Sequence, residues 1–307
     1  MRKIGTILCL VVLTGVLTAC SGANETAVSG KPADGQDTTV VEQKATEITV
    51  ISDTKKEFNL YRDNIKIHGE LHLPEGEGPF PVVVLANGFA STFSYQREYV
   101  RSLNEKGISA VIFDFIGTDG ASRSGGTAMD RSLLNHAADL NQVMDEVTTW
   151  PEIDSSKLFL WGHSFGGLVS TYVAGQRSED IQGVILLEPS YLIPDQYKEM
   201  FPEGTEIPVV VGEPIPVSKR FVEEIIDFDL NVTMQKYQNE VIIFQGTVHS
   251  DEELAEMNKY FSNAVETFPN AKLVMIEGAD HYFEKEPGAE MTGLAIEFIE
   301  DILNSQE

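Results

Sequence analysis

A serine stands among glycines in Gly162-His163-Ser164-Phe165-Gly166-Gly167, directly after the apolar run Leu158-Phe159-Leu160-Trp161. G-x-S-x-G at a strand-to-helix junction forces a sharp turn that lifts the serine hydroxyl clear of a sheet. Gly162 and Gly166 keep side chains out of that turn, and the helix that follows aims its N-terminus at developing negative charge. The chemistry this allows is nucleophilic attack by Ser164, which requires a base. The chain holds six histidines. His68 and His72 alternate with Gly69 and Leu71 on an early strand, His136 lies within a helix, and His163 is expected to point away from Ser164. His281 follows the last strand, where a loop brings an imidazole over Ser164, and is the candidate general base. An oxyanion needs two converging backbone N–H groups. Phe165, just after the nucleophile, and Phe89, after the strand ending in Asn87-Gly88, are the candidate donors.

These residues need a scaffold, and the hydrophobic pattern supplies one. Pro81–Ala86, Ile108–Phe115, Lys157–Gly162, Ile181–Leu187, Glu240–Gln245 and Lys272–Glu277 are apolar runs of the kind that fill a parallel sheet covered on both faces. Between them the pattern predicts helices over Thr92–Lys106, Arg131–Trp150, from Phe165 onward, Glu252–Phe268 and Pro287–Leu303. Three earlier stretches, Thr46–Ile51, Glu57–Leu60 and Asn64–Leu73, predict an antiparallel start. Strands alternating with helices give an α/β domain with a mostly parallel central sheet. The segment 189–239 breaks the rhythm. It carries six prolines and one expected helix, Val217–Phe228, and is too long for a plain connection. It is expected to be a lid inserted over the strand ends, where pockets of such sheets form.

The N-terminus reads as an address. Arg2-Lys3 precede a short apolar stretch that ends in Leu17-Thr18-Ala19-Cys20, the layout of an export signal. Its cysteine ending resembles the bacterial lipoprotein signal, which implies that 1–19 is removed and that Cys20 receives lipid. Residues 20–45 are polar and small, and are expected to form a flexible tether to a domain over 46–307. The expected location is the outer face of the bacterial cell membrane. Cys9 is the only other cysteine, so the folded part carries no disulfide, no zinc-thiolate site and no cysteine nucleophile. The chain has 307 residues, with 22 Lys+Arg against 48 Asp+Glu and a net charge of −26. That surface repels nucleic acid, so no nucleic-acid partner is expected.

The site residues resemble those of the α/β-hydrolases, and within them bacterial feruloyl/cinnamoyl esterases and related small carboxylesterases. The similarity runs from about Ile65 to the C-terminus. It rests on Asn87-Gly88-Phe89 (usually His-Gly-Phe), Phe113-Asp114-Phe115, the Ser164 motif, Gln245-Gly246-Thr247 and Ile276-Glu277-Gly278-Ala279-Asp280-His281. The resemblance implies an α/β-hydrolase fold, a small-molecule ester as substrate, cleavage of short-chain or aromatic acyl esters through an acyl-enzyme, and no cofactor or metal.

The resemblance fails at the third catalytic residue. Three residues after Gly246, where the family places its aspartate, stands His249. In some α/β-hydrolases the acid instead follows the preceding strand, and here Glu188 comes directly after Val184–Leu187. A carboxylate gained there, beside one lost at 249, assigns Glu188 as the acid partner of His281. Asp251 is the alternative, and Asp280 is expected to face away. Two other functions fit the sequence: a peptidase or lactone hydrolase on the same scaffold, and a non-catalytic ligand-binding lipoprotein with an incomplete triad. Natural acyl group and oligomeric state carry no sequence signal.

Overall fold

The computed structural model of the chain describes residues 44–305. The expected signal peptide, Cys20 and nearly all of the expected tether lie outside the described residues. In chain order the elements are β1 (Glu47–Ser52), β2 (Lys55–Arg62), β3 (Ile65–His72), β4 (Phe80–Ala86), α1 (Arg97–Glu105), β5 (Ser109–Phe113), α2 (Leu133–Val147), β6 (Ile153–His163), α3 (Phe165–Gln176) and β7 (Gly183–Leu187). Then come α4 (Ile193–Met200), β8 (Val210–Val211), β9 (Val217–Ser218), α5 (Lys219–Asp227), α6 (Leu230–Lys236), β10 (Glu240–Gly246), α7 (Asp251–Thr267), β11 (Ala271–Ile276) and α8 (Lys285–Asn304).

Nine strands form one sheet in the order β1-β2-β3-β5-β4-β6-β7-β10-β11. The first three pair antiparallel, as does β3 with β5, and all the remaining neighbours pair parallel. The reason is visible within β4. Successive side chains of a strand point to opposite faces. Val82 and Val84 join a core with Leu140 and Val143 of α2 and Leu168 and Val173 of α3. Val83 and Leu85 join a second core with Val100 and Leu103 of α1 and Met291, Ala295 and Ile299 of α8. A continuous apolar run is therefore what a strand covered on both faces requires. Each such side chain, once fully buried, contributes about 1.5–3 kcal/mol.

The differences from expectation have local causes. The helix expected from Thr92 is first a 3-10 turn, Phe93–Gln96, and becomes α-helical at Arg97. The helix expected from Arg131 starts at Leu133, because Ser132 caps it by accepting from Asn135 N–H. The segment between β7 and β10 holds three helices and a short hairpin, where one helix was expected. Its prolines misled the reading. Pro194 sits in the first turn of α4, where the missing N–H costs nothing. The seven-residue α6 is held by its Asp229 cap, which accepts from Val232 N–H.

Candidate active site

Strand β6 runs straight into α3, and Ser164 sits at the junction with φ 54° and ψ −120°. That backbone is unfavourable for a residue with a Cβ, by about 1–3 kcal/mol, and persists only where the surroundings impose it. They do so here: Ser164 N–H donates to Leu187 O at 2.9 Å, and Ser190 N–H donates to Ser164 O at 3.0 Å. The turn leaves no room at Gly166, where a Cβ would collide with the carbonyl oxygens of Ala86 and Asn87. The start of α3 thus lies hard against the end of β4. On the loop after β4, a Cβ at Gly88 would lie 3.5 Å from Ser164 Cβ.

This contact sets the loop that carries Phe89 beside the start of α3, which begins at Phe165. Phe165 is the first residue of α3, so no carbonyl one turn back within the helix takes its N–H. Gly88 N–H is occupied by Tyr95 Oη at 3.0 Å, which leaves Phe89 N–H as the next donor along the loop. The Phe89 and Phe165 rings meet edge to face with centroids 5.2 Å apart, and Phe221 of α5 packs on both at 5.4 and 5.5 Å. The segment between β7 and β10 therefore contributes an aromatic side chain directly behind these two backbones.

Glu188 follows β7 with φ 38° and is buried. One carboxylate oxygen, Oε2, accepts from His281 Nδ1 at 2.6 Å. The other, Oε1, accepts from Gly246 N–H at 2.9 Å and from His249 Nε2 at 2.8 Å. A carboxylate can only accept, so His281 carries its proton on Nδ1 and keeps Nε2 as a base. Burial alone would raise the Glu188 carboxyl, but the bonds from His249 and His281 outweigh it and hold it at about 2. The same hydrogen bond raises His249 above the ordinary histidine value. Asp251 is exposed in the first turn of α7. Asp280 is exposed too, and its carboxylate accepts from Tyr282 N–H at 3.0 Å.

Four further residues belong to this neighbourhood, with no role expected for them there. Ser190 Oγ lies 3.3 Å from Ser164 Oγ and is its side-chain hydrogen-bond partner. His249 was read only as a missing aspartate. His163 packs against the loop of the expected base: its ring lies 4.8 Å from that of His281, and its Nε2 is 2.7 Å from His281 O. Burial and the neighbouring His281 push His163 down to about 3, so it is neutral. Its Nε2–H must donate to the carbonyl, which makes Nδ1 an acceptor for Tyr95 Oη–H at 3.0 Å. A chain of hydrogen bonds thus runs from the Gly88 N–H through Tyr95 and His163 to the backbone of His281. A polar residue two places after Glu188 and a histidine beside the nucleophile were the only sequence signals for Ser190 and His163. Tyr95 and His249 gave none. Among the described residues, no group of three His, Cys, Asp or Glu is arranged to hold a metal ion.

Comparison with known proteins places the chain in a family. The sequence profile described as serine aminopeptidase, S33 matches residues 77–293. Esterase FrsA of Escherichia coli is 30% identical over 124 residues, which is 40% of this chain and 28% of that esterase. The chain therefore matches well under a third of the length of this curated relative. Among solved structures, Est1E from Butyrivibrio proteoclasticus with bound ferulic acid superposes with a TM-score of 0.68 at 21% identity, covering 80% of this chain and 99% of Est1E. The esterase EaEST from Exiguobacterium antarcticum gives 0.56 at 17% identity, covering 78% and 97%. These two likenesses are likenesses of fold.

Proposed function

Because the chain belongs to the serine aminopeptidase S33 family of α/β-hydrolases, we propose that it hydrolyses carboxylic esters through an acyl-enzyme on Ser164. The observation that carries this reading is the 2.6 Å bond between Glu188 and His281 Nδ1 beside a strained serine. In the proposed reaction Ser164 Oγ turns from Ser190 and attacks the ester carbonyl while His281 Nε2 takes its proton. Glu188 steadies the imidazolium, and the oxyanion accepts from the N–H groups of Phe89 and Phe165. The alkoxide leaves with the proton from His281. Water then attacks the acyl-enzyme by the same route and releases the acid. Every step uses groups of this chain and needs no cofactor.

In this reading the segment over 189–239 is the lid that selects a short-chain or aromatic acyl group, its Phe221 packing on the Phe89 and Phe165 rings. The family description favours peptidase activity as the second reading, and aminoacyl amides offered beside p-nitrophenyl esters separate the two. The decisive experiment is labelling with a fluorophosphonate probe, to which only an activated serine reacts quickly. Wild type should label and hydrolyse the esters, and Ser164→Ala should do neither. Ester hydrolysis undiminished in Ser164→Ala, or no labelling of wild type, would overturn the reading.

The site's location is a separate proposal: lipid on Cys20 anchors the domain to the outer face of the cell membrane. The motif Leu17-Thr18-Ala19-Cys20 supports it, and among the described residues no helix is long and apolar enough to cross a membrane. One acyl chain binds only marginally, so stable attachment needs more than one. Cys20→Ser should shift the protein from the membrane fraction. Mass spectrometry finding a mature N-terminus without lipid in wild type would refute the anchor.

A further inference from the structure

We propose that His249 is a positioning residue for the triad, which fixes the Glu188 carboxylate and, through its own charge, sets how well that carboxylate supports a cation on His281. The inference rests on the assignment of Ser164, His281 and Glu188 above.

The geometry begins with a buried carboxylate that has two imidazole neighbours. Glu188 divides its oxygens: Oε2 serves His281 alone, while Oε1 is shared by Gly246 N–H and His249 Nε2. Glu188 has a backbone fixed by its N–H to Phe244 O, but three side-chain torsions separate that backbone from the carboxylate. The Gly246 amide and the His249 ring define it from the other side, at the end of β10. Without His249, Oε1 keeps Gly246 N–H as its one donor, and the carboxylate is held less firmly on that side while Oε2 keeps His281. Position 249 thus supplies a donor in the place where the resembling esterases supply the acid itself.

The second half of the inference is electrostatic. His249 is largely buried, with its side chain 13% exposed. The charges acting on it are Glu188 from the end of β7, Glu253 in the first turn of α7 and Asp280 from the loop after β11; Asp251 and Glu252 share the turn with Glu253, and His281 lies across the Glu188 carboxylate. The carboxylates favour a proton on His249, and the start of α7 opposes it. Glu188 dominates, through a direct bond. When His249 is protonated, the Glu188 charge is already matched, and a proton arriving on His281 makes a second cation around one anion. When His249 is neutral, the full carboxylate charge supports His281. The base therefore has two settings, separated by one proton on a residue that never touches substrate.

The experiment measures kcat/KM for p-nitrophenyl acetate across about pH 5 to 9, with the full chain and two variants. His249→Gln keeps a neutral N–H for Oε1, and His249→Phe removes it. Fluorophosphonate labelling counts the folded, active sites in each preparation. The Gln variant should lose the cation that opposes protonation of His281, so the acid limb should move to higher pH by about one unit. Its plateau kcat should stay within about tenfold of wild type, because the bond it keeps is worth about one hydrogen bond. The Phe variant should show the same shift of the limb and a further loss of about tenfold in kcat, with KM little changed. Acid limbs unchanged in both variants, with equal kcat in the two, would overturn the inference and leave His249 a packing residue. If wild type itself does not label, the triad assignment falls and this inference falls with it.

Discussion

Replacing Glu188 by Gln removes one charge and keeps the shape, and the surrounding donors dictate how the amide must lie. Gly246 N–H cannot become an acceptor, so the amide oxygen has to stay on the side of Gly246 and His249. The amide NH2 then faces His281 Nδ1, at a contact now 2.6 Å long. Only the tautomer with a bare Nδ1 fits that neighbour, and it places the ring proton on Nε2, toward the nucleophile. Such an imidazole cannot take a proton from Ser164. Converting a triad aspartate to its amide in another serine hydrolase costs about 10⁴ in kcat for this reason. The expected loss here is roughly 10³–10⁴, or about 4–5 kcal/mol of barrier. The assay is p-nitrophenyl ester hydrolysis with fluorophosphonate labelling in parallel. Acid titration of stability gives a second readout. Burial raises the Glu188 carboxyl, but its histidine bonds leave it at about 2 in the folded chain. A carboxyl depressed by folding contributes stability above its unfolded value and loses that contribution as pH falls through the folded one. Wild type should therefore weaken between about pH 4.5 and pH 2, and the Gln variant should be flatter in that window. A Gln variant within tenfold of wild-type kcat, beside a crippled Asp251→Asn, would refute the reasoning and move the acid to the loop after β10.

Three other outcomes are expected. Tyr95→Phe removes the hydroxyl that takes Gly88 N–H and serves His163 Nδ1; it should cost about 1–3 kcal/mol of stability, read by thermal or urea unfolding, and an unchanged midpoint would deny the network any energetic role. Phe221→Leu is a large-to-small change at a fully buried position and should cost about 1–3 kcal/mol and shift the ranking of ester acyl groups by kcat/KM toward bulkier acids; an unchanged ranking in a folded variant makes the segment over 189–239 a passive cover. Gly166→Ala should prevent folding or abolish labelling, because its Cβ would collide with the Ala86 and Asn87 carbonyls, and normal labelling by this variant would show that the junction is looser than described.

The scaffold was legible because its signal is local. Each central strand is an unbroken apolar run, and β4 needs no more than its own residues to show that both of its faces are covered. The turn at Ser164 was legible for the same reason, since its glycines and its strand lie within ten residues. The nearness of Glu188 to His281 required a comparison of two strand ends, one carboxylate gained and one lost. What sequence could not convey was which side chains meet once those ends are side by side. His249 is informative only when Glu188 is seen to reach it across β7 and β10, 61 residues away in the chain. His163 meets the loop after β11, 118 residues further on, and its partner Tyr95 lies 68 residues earlier. The helices α4 and α6 escaped because a proline at a helix start and an aspartate cap look, in one dimension, like loop punctuation.

The position of Glu188 also bears on how the insertion can change over generations. The insertion leaves the sheet directly from this residue, through Pro189, Ser190 and Tyr191. That root is clamped: Glu188 N–H is tied to Phe244 O, Ser190 N–H to Ser164 O, and the buried Tyr191 Oη to Thr171 Oγ1 at 2.7 Å. A change downstream of Tyr191 is expected to reach the carboxylate only through this clamped root. A chimera that takes its junction after Tyr191 inherits the acid in place, whereas one cut at Leu187 must rebuild it. The clamp turns a single continuous segment into a fixed anchor and a replaceable module, which is the division a scaffold needs in order to acquire new substrates.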